Sequence, residues 1–198
     1  MAGAVVEDAV YTCHALRHTV YGPTRDEIMD ILQERVVDEC LSLMFESGNP
    51  DFVIWGIRRV KQFPEYHESF YDAILENISS GHELLYEEAI GYFRPDRMQD
   101  KVVQLGMVNL IPGLWSQKKY NIIWKFIEMD LVYEEVVEAL LEFFQNNDIG
   151  IGVLNLIYRL VNAEHVENNQ SICGIIRDLA EHENAYIRNL TRKVINSN

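Results

Sequence analysis

The chain has 198 residues, 48% hydrophobic and 24% charged, enough to bury a real core and too apolar for general disorder. It carries 31 Asp and Glu against 17 Lys and Arg, and this formal charge of −14 sets most of the surface against nucleic acid and anionic lipid. No apolar run approaches the ~20 residues of a membrane-spanning helix; "LIPGLW" and "VLNLIY" are among the longest.

The opening "MAGAVVEDAVYTCHALRH" places Glu7 and Asp8 where a secretory leader would carry cations, so no leader is expected. Helical spacing predicts a first helix over 4–18. His14 and His18 share a face of it at a spacing that can hold a metal, but "HALRH" lacks the glutamate of HExxH and no third ligand is evident. A long helix over 25–46 follows, with Thr24 as its N-cap and acidic residues in its first turn. "SGNPD" ends that helix at Gly48 and restarts the chain near Pro50. Helices are then predicted over 51–63, 66–78, 83–93, 97–110, 117–128 and 132–145. Pro64, Pro95 and Pro112 fall between them, where a missing N–H does least harm. Trp115, in the loop "IPGLWSQ", is either an exposed anchor or a plug between units.

The next segment, "NDIGIGVLNLIYRLVN", is predicted as a helix over 149–162 opened by Gly150 and Gly152. A phosphate-cradling loop needs a preceding strand and a third glycine, yet no strand is evident and position 155 is asparagine. The glycines therefore read as close helix packing or a loose first turn. Helices over 169–181 and 184–196 complete the chain.

These helices recur at a period. The central apolar residues of every second helix are Ile57, Ile90, Ile123, Ile157 and Leu190, at intervals of 33, 33, 34 and 33 residues. One turn later come Val60, Phe93, Phe126, Leu160 and Val194; the intervening helices repeat as Phe70, Val103, Val136 and as Ile74, Met107, Leu140. Two helices every 33 residues or so is the signature of a solenoid, in which each pair buries its apolar face only against its neighbours.

"NPDFVIWGIRRV" (49–60) and "HENAYIRNLTRKVI" (182–195) open with Asn or its like and place Val or Ile just before a basic residue, Arg58 and Arg188. In this the chain resembles the HEAT-repeat family over about residues 25–196, although the 83–93 unit departs from the pattern with "YEEAIGYF". The resemblance implies an all-α, right-handed solenoid of about five helical hairpins: one repeat domain over 1–198, with 1–24 as cap and 25–198 as repeats. No regular small-residue and proline signature of tetratricopeptide repeats is present.

In HEAT-like arrays the second helices line the concave surface. Positions two after the central apolar residue would then stack as Arg59, Tyr92, Lys125, Arg159 and Arg192, with Trp55, Arg58, Trp124, Tyr158 and Arg188 beside them. Aromatic residues and arginine dominate binding hot spots, so this ridge is a candidate groove; the alternative is that its arginines tie adjacent units together. The first helices carry acidic rows instead: Glu27, Asp30, Glu34 and Asp38, then Glu68, Asp72 and Glu76, then Glu134, Glu138 and Glu142.

Catalytic signatures are missing. There is no GxSxG or Walker-type loop, and His67, His82, His165 and His182 lack the ExxH pairing of di-iron bundles. Cys13, Cys40 and Cys173 have no CxxC spacing and suit reduced thiols in the cytoplasm. The expectation is a non-enzymatic protein-binding module without cofactor or metal, an acidic inhibitor or immunity-type protein that neutralises a basic partner such as a toxin, or a small adaptor. Nucleic acid and membrane are disfavoured as partners. The alternative is a HEAT-like alkylpurine DNA glycosylase cradling duplex on the basic and aromatic ridge; against it, six to ten phosphate contacts would need more cations than the ridge offers.

Overall fold

The computed structural model describes residues 38–197. The first helix, the 25–37 part of the second, Thr24 and the His14/His18 pair lie outside the described residues. The described chain is helical, and no strand occurs among these residues. It falls into two compact units divided between Ala73 and Ile74.

In the first unit, α1 (Asp38–Glu46) and α2 (Pro50–Gln62) form a hairpin. Gly48, at φ 65, ends α1 in the left-handed region that favours glycine. Asn49 then caps α2, its Oδ1 accepting from the Asp51 N–H at 3.0 Å, while Pro50 occupies the first turn and Arg59 and Lys61 the last. The two helices meet closely at Gly56, where a Cβ would stand 3.3 Å from the Phe45 ring. Val53, Ile54, Ile57 and Val60 are buried, each worth roughly 1.5–3 kcal/mol relative to exposure. A 3₁₀ turn at Pro64–Tyr66 leads into α3 (His67–Glu76), the helix within which the division falls. Phe70 on α3 stacks on Phe45 at 5.2 Å.

The second unit holds α4 (Glu83–Tyr92), α5 (Lys101–Asn109), α6 (Ser116–Ile127), α7 (Glu134–Gln145), α8 (Leu154–Tyr158), α9 (Ala163–Asn168), α10 (Gln170–Ala180) and α11 (Ala185–Ser197). Side-chain caps start several of them: Asp100 Oδ1 on the Val102 N–H for α5, and Asn169 Oδ1 on the Ser171 and Ile172 N–H groups for α10. Packing alternates along the chain. Helix α5 packs on α7 and α7 on α10, while α6 packs on α8 and α8 on α11. Hairpin contacts join α7 to α8 and α10 to α11. The core between them includes Ile123, Phe126, Val137, Leu140 and Ile157, all fully buried.

Polar side chains lace the connections. Buried Gln104 on α5 donates to the Met98 and Leu131 carbonyls and accepts from the Tyr133 N–H, so its amide is satisfied while tying two loops together. Lys118 on α6, also buried, donates to the Ile78 carbonyl at 3.1 Å and to that of Ser80, and lies 4.3 Å from the Tyr86 ring centroid. Its neighbour Lys119 reaches the other way, to the carbonyls of Pro112 and Asp148.

The 149–162 segment departs from the sequence expectation. It contains a 3₁₀ turn at Ile151–Val153 and the five-residue α8, not one long helix. Two glycines raise the cost of a regular first turn. At the other end Asn162 starts a new helix, α9, its side chain accepting from the His165 N–H while His165 Nδ1 accepts from the Asn162 N–H. A Cβ at Gly150 or Gly152 would meet nothing within 4 Å, so these glycines mark a loose turn and no close helix approach. The last unit also shifts in register: Leu190 is half-buried, whereas Ile187 and Thr191 are buried.

Candidate functional site

In the first unit, Arg59 is only 4% exposed. Its guanidinium lies 5.4 Å from the Trp55 ring centroid and 4.8 Å from that of Phe63, and Nη1 donates to Gln62 Oε1 at 2.9 Å. Desolvation lowers its pKa, with Tyr66 opposing. Arg59 thus braces its own helix end. Arg58 is exposed and Trp55 half-buried.

In the second unit, two of the predicted ridge aromatics turn inward. Tyr92 is buried with the Arg97 guanidinium 4.6 Å from its ring centroid. Tyr158 is buried and its hydroxyl pairs with Thr191 Oγ1 at 2.6 Å; Thr191 donates onward to the Ile187 carbonyl. Burial pushes both phenols above their ordinary value. Arg188 and Arg192 fasten the turn before α11: the first donates to the His182 and Glu183 carbonyls, the second to the Ala180 carbonyl and the Glu181 carboxylate. These contacts all lie within the α10–α11 hairpin, so these two arginines fasten their own helix pair.

What remains outward is a compact cluster. Trp124 is 38% exposed and stacks on Tyr120, with centroids 6.0 Å apart and planes inclined by 16°. Its indole N–H donates to Glu128 Oε1 at 3.0 Å, which fixes the ring. Just past the end of α8 the exposed Arg159 places its guanidinium 5.5 Å from the Trp124 ring centroid, so residues 35 positions apart meet as rungs. With half-buried Lys125 and Asn121 and buried Ile90, the aromatic pair and Glu128 line a groove of about 320 Å³. Asn121 is set by a hydrogen bond to the Tyr86 hydroxyl at 2.7 Å. Tyr120 escaped the sequence reading, although "YNIIW" places two aromatics one helical turn apart. Trp115, the N-cap residue of α6, is 63% exposed and no plug.

The acidic rows are solvated. Glu68, Asp72 and Glu76 are exposed on α3, and Glu134 and Glu142 on α7; Glu138 is half-buried and accepts from Asn169 Nδ2 at 3.2 Å. Next to that row, Glu135 pairs with Lys101, whose hydrogen bond holds the carboxyl below its ordinary pKa.

Among the described residues no three His, Cys, Asp or Glu side chains gather as a metal site, and no helix is long and apolar enough to cross a membrane. Cys40 and Cys173 are half-buried free thiols, and burial pushes the Cys40 thiol up. No family model, curated protein or solved structure matches the chain.

Proposed function

We propose that the chain is a right-handed solenoid of HEAT-like hairpins acting in the cytoplasm as a non-enzymatic protein-binding module: an acidic inhibitor of the immunity type, or a small adaptor, that engages a basic partner. The alternating packing of α5, α7 and α10, and of α6, α8 and α11, supports the solenoid within the second unit. The observation that carries the binding reading is the outward Tyr120–Trp124 stack with Arg159 over the indole. A rigid aromatic anchor, held by Glu128 before any partner arrives, loses little side-chain entropy on binding. The exposed carboxylates of α3 and α7 would steer a cationic partner and speed the encounter. The duplex-binding reading finds less support, since Arg59 is buried and Arg192 is occupied by Glu181.

The test is capture from native lysate with the wild-type chain, with Trp124→Ala and with the triple reversal Glu134→Lys, Glu138→Lys, Glu142→Lys. Loss of a hot-spot aromatic should weaken partner binding by about 10-fold or more. The reversal should slow association, most strongly at low salt. Capture undiminished by Trp124→Ala would sink the assignment of the anchor. Tight, steeply salt-dependent binding of duplex DNA would move the reading to the glycosylase class.

A further inference from the structure

We propose a second binding site, a cavity between the α7–α8 and α10–α11 connections that takes the side chain of an arginine presented by a protein partner. The cavity measures about 660 Å³, within the roughly 300–1,000 Å³ range of pockets that enclose small organic groups. Its floor is apolar: Phe144, Ile149, Leu179 and Ile187 are all buried. The chain is brought back over this floor at Asn147, whose φ of 62 lets the Asp148 and Ile149 N–H groups both reach the Phe143 carbonyl, at 2.8 and 3.2 Å.

The rim has the opposite chemistry. Asp178 and Glu183 stand exposed at it, with the carboxamides of Gln145, Asn147 and Asn184. His182 also lines it, its Nδ1 accepting from the Asn184 N–H. Among the described residues no lysine or arginine lines the cavity. Two cations that reach the main chain beside the cavity are engaged on carbonyls: Lys119 on Pro112 and Asp148, Arg188 on His182 and Glu183.

An apolar floor under an acidic, carboxamide-rich rim selects its occupant. An anion would face two carboxylates without a lining cation. A neutral apolar group would leave the rim acceptors unused. An aliphatic stem ending in a cation satisfies both layers, because the stem covers the floor while the head stays at the wet rim. Guanidinium suits the rim better than ammonium, being more weakly hydrated and presenting several donors in one plane to carboxylate and amide oxygens. The inference rests on the protein-binding reading only for the source of the arginine, and it adds the partner chemistry that the aromatic cluster does not specify.

The test is an amide-resolved NMR titration of the full chain with a capped Ala-Arg-Ala tripeptide, its citrulline analogue and free arginine amide. The arginine peptide should shift the amides of Gly150, Leu179 and Ile187, and citrulline, which keeps the shape but loses the charge, should bind about 10-fold more weakly. The double variant Asp178→Asn, Glu183→Gln should lose a similar factor. Gly150→Leu is a steric block that keeps every charge: its φ of −77 and ψ of 159 suit any residue, and the added Cβ meets no atom within 4 Å. It should abolish binding without disturbing the fold. Binding undiminished in Gly150→Leu, shifts spread instead over the α3 and α7 carboxylates, or no saturable binding would each overturn the site. Arginine amide binding as tightly as the peptide would overturn the protein source. Trp124→Ala should leave the peptide affinity unchanged, so loss of partner capture in that variant and loss of arginine binding in Gly150→Leu report on separate readings.

Discussion

Helices α7 and α6 sit in the two alternating series of the second unit and have equal length, yet they spend their outward faces differently. On α7, Val136, Val137, Leu140, Leu141 and Phe144 are buried, and the outward positions go to Glu134 and Glu142. On α6, Ile122, Ile123 and Phe126 are buried just as completely, but the outward positions include Tyr120 and Trp124. Carboxylates in water need no partner. Two stacked aromatics in water leave apolar area that a partner could cover. The buried faces therefore report on how the unit holds together, while the outward faces locate where it can be approached.

Truncation on the buried faces should have the largest effect. Leu140→Ala and Ile123→Ala should each lower unfolding free energy by about 2–5 kcal/mol, measured by urea denaturation. Trp124→Ala, on the outward face of α6, should cost less than about 1 kcal/mol and show itself in partner capture instead. If Trp124→Ala destabilises as much as Ile123→Ala, the aromatic pair is part of the core and the contrast between the helices fails.

The laced connections give a second, smaller effect. Lys118→Met keeps the stem but removes the donor to the Ile78 and Ser80 carbonyls, and should cost about 1–3 kcal/mol at neutral pH. Its pH dependence has a definite sign. Desolvation lowers the Lys118 pKa from 10.5 in the folded chain, so between the two values the unfolded chain binds more protons and stability gains as pH rises. Burial raises the pKa values of Tyr86, Tyr92 and Tyr158 from 10.0, so their contribution is present below that pH and is lost as pH climbs above it. Total stability reflects both, but the difference between wild type and Lys118→Met isolates the lysine. That difference should widen as the pH approaches 10.5, and a constant difference would show that the ammonium is not desolvated.

Legibility from sequence followed the same division between faces. The expected helix over 132–145 matches α7 to within two residues, because its apolar side chains repeat at the helical spacing and nothing interrupts them. The 149–162 segment failed at its start, where Gly150 and Gly152 open a 3₁₀ turn before the five-residue α8, and α9, which Asn162 and His165 start by closing a box on each other, is too short to carry a pattern of its own. Counting apolar residues misplaced the register of α11, where Thr191 is buried through its bonds to Tyr158 and Ile187. The ridge suffered most. Spacing puts Arg59 and Tyr92 at equivalent positions and Tyr158 beside them, but it cannot tell whether a long side chain reaches solvent or folds onto its neighbours. Arg159 and Trp124 were both nominated, and their meeting follows from the packing of α8 on α6. The acidic-rimmed cavity had no local signal, since its walls come from two hairpin connections far apart in the chain.

The smallest expected effect tests whether the acidic row beside α7 contributes to the unit's stability or only to its approach. The Lys101 hydrogen bond depresses the Glu135 pKa from 4.5 in the folded chain, so its contribution is complete above that value and is lost as pH falls through the lower, folded one. Both partners are well exposed, with side chains 43% and 39% accessible, so solvent screens the pair and entropy offsets much of its attraction. Glu135→Gln should accordingly leave the urea midpoint at neutral pH almost unmoved. It should remove only a shallow segment of the acid-unfolding curve just below pH 4.5, and moderate salt should erase even that difference. A large, salt-resistant loss at neutral pH would mean that Glu135 helps fasten α7 to α5, and the division of α7 into a buried face that holds it and carboxylates that only steer would fail.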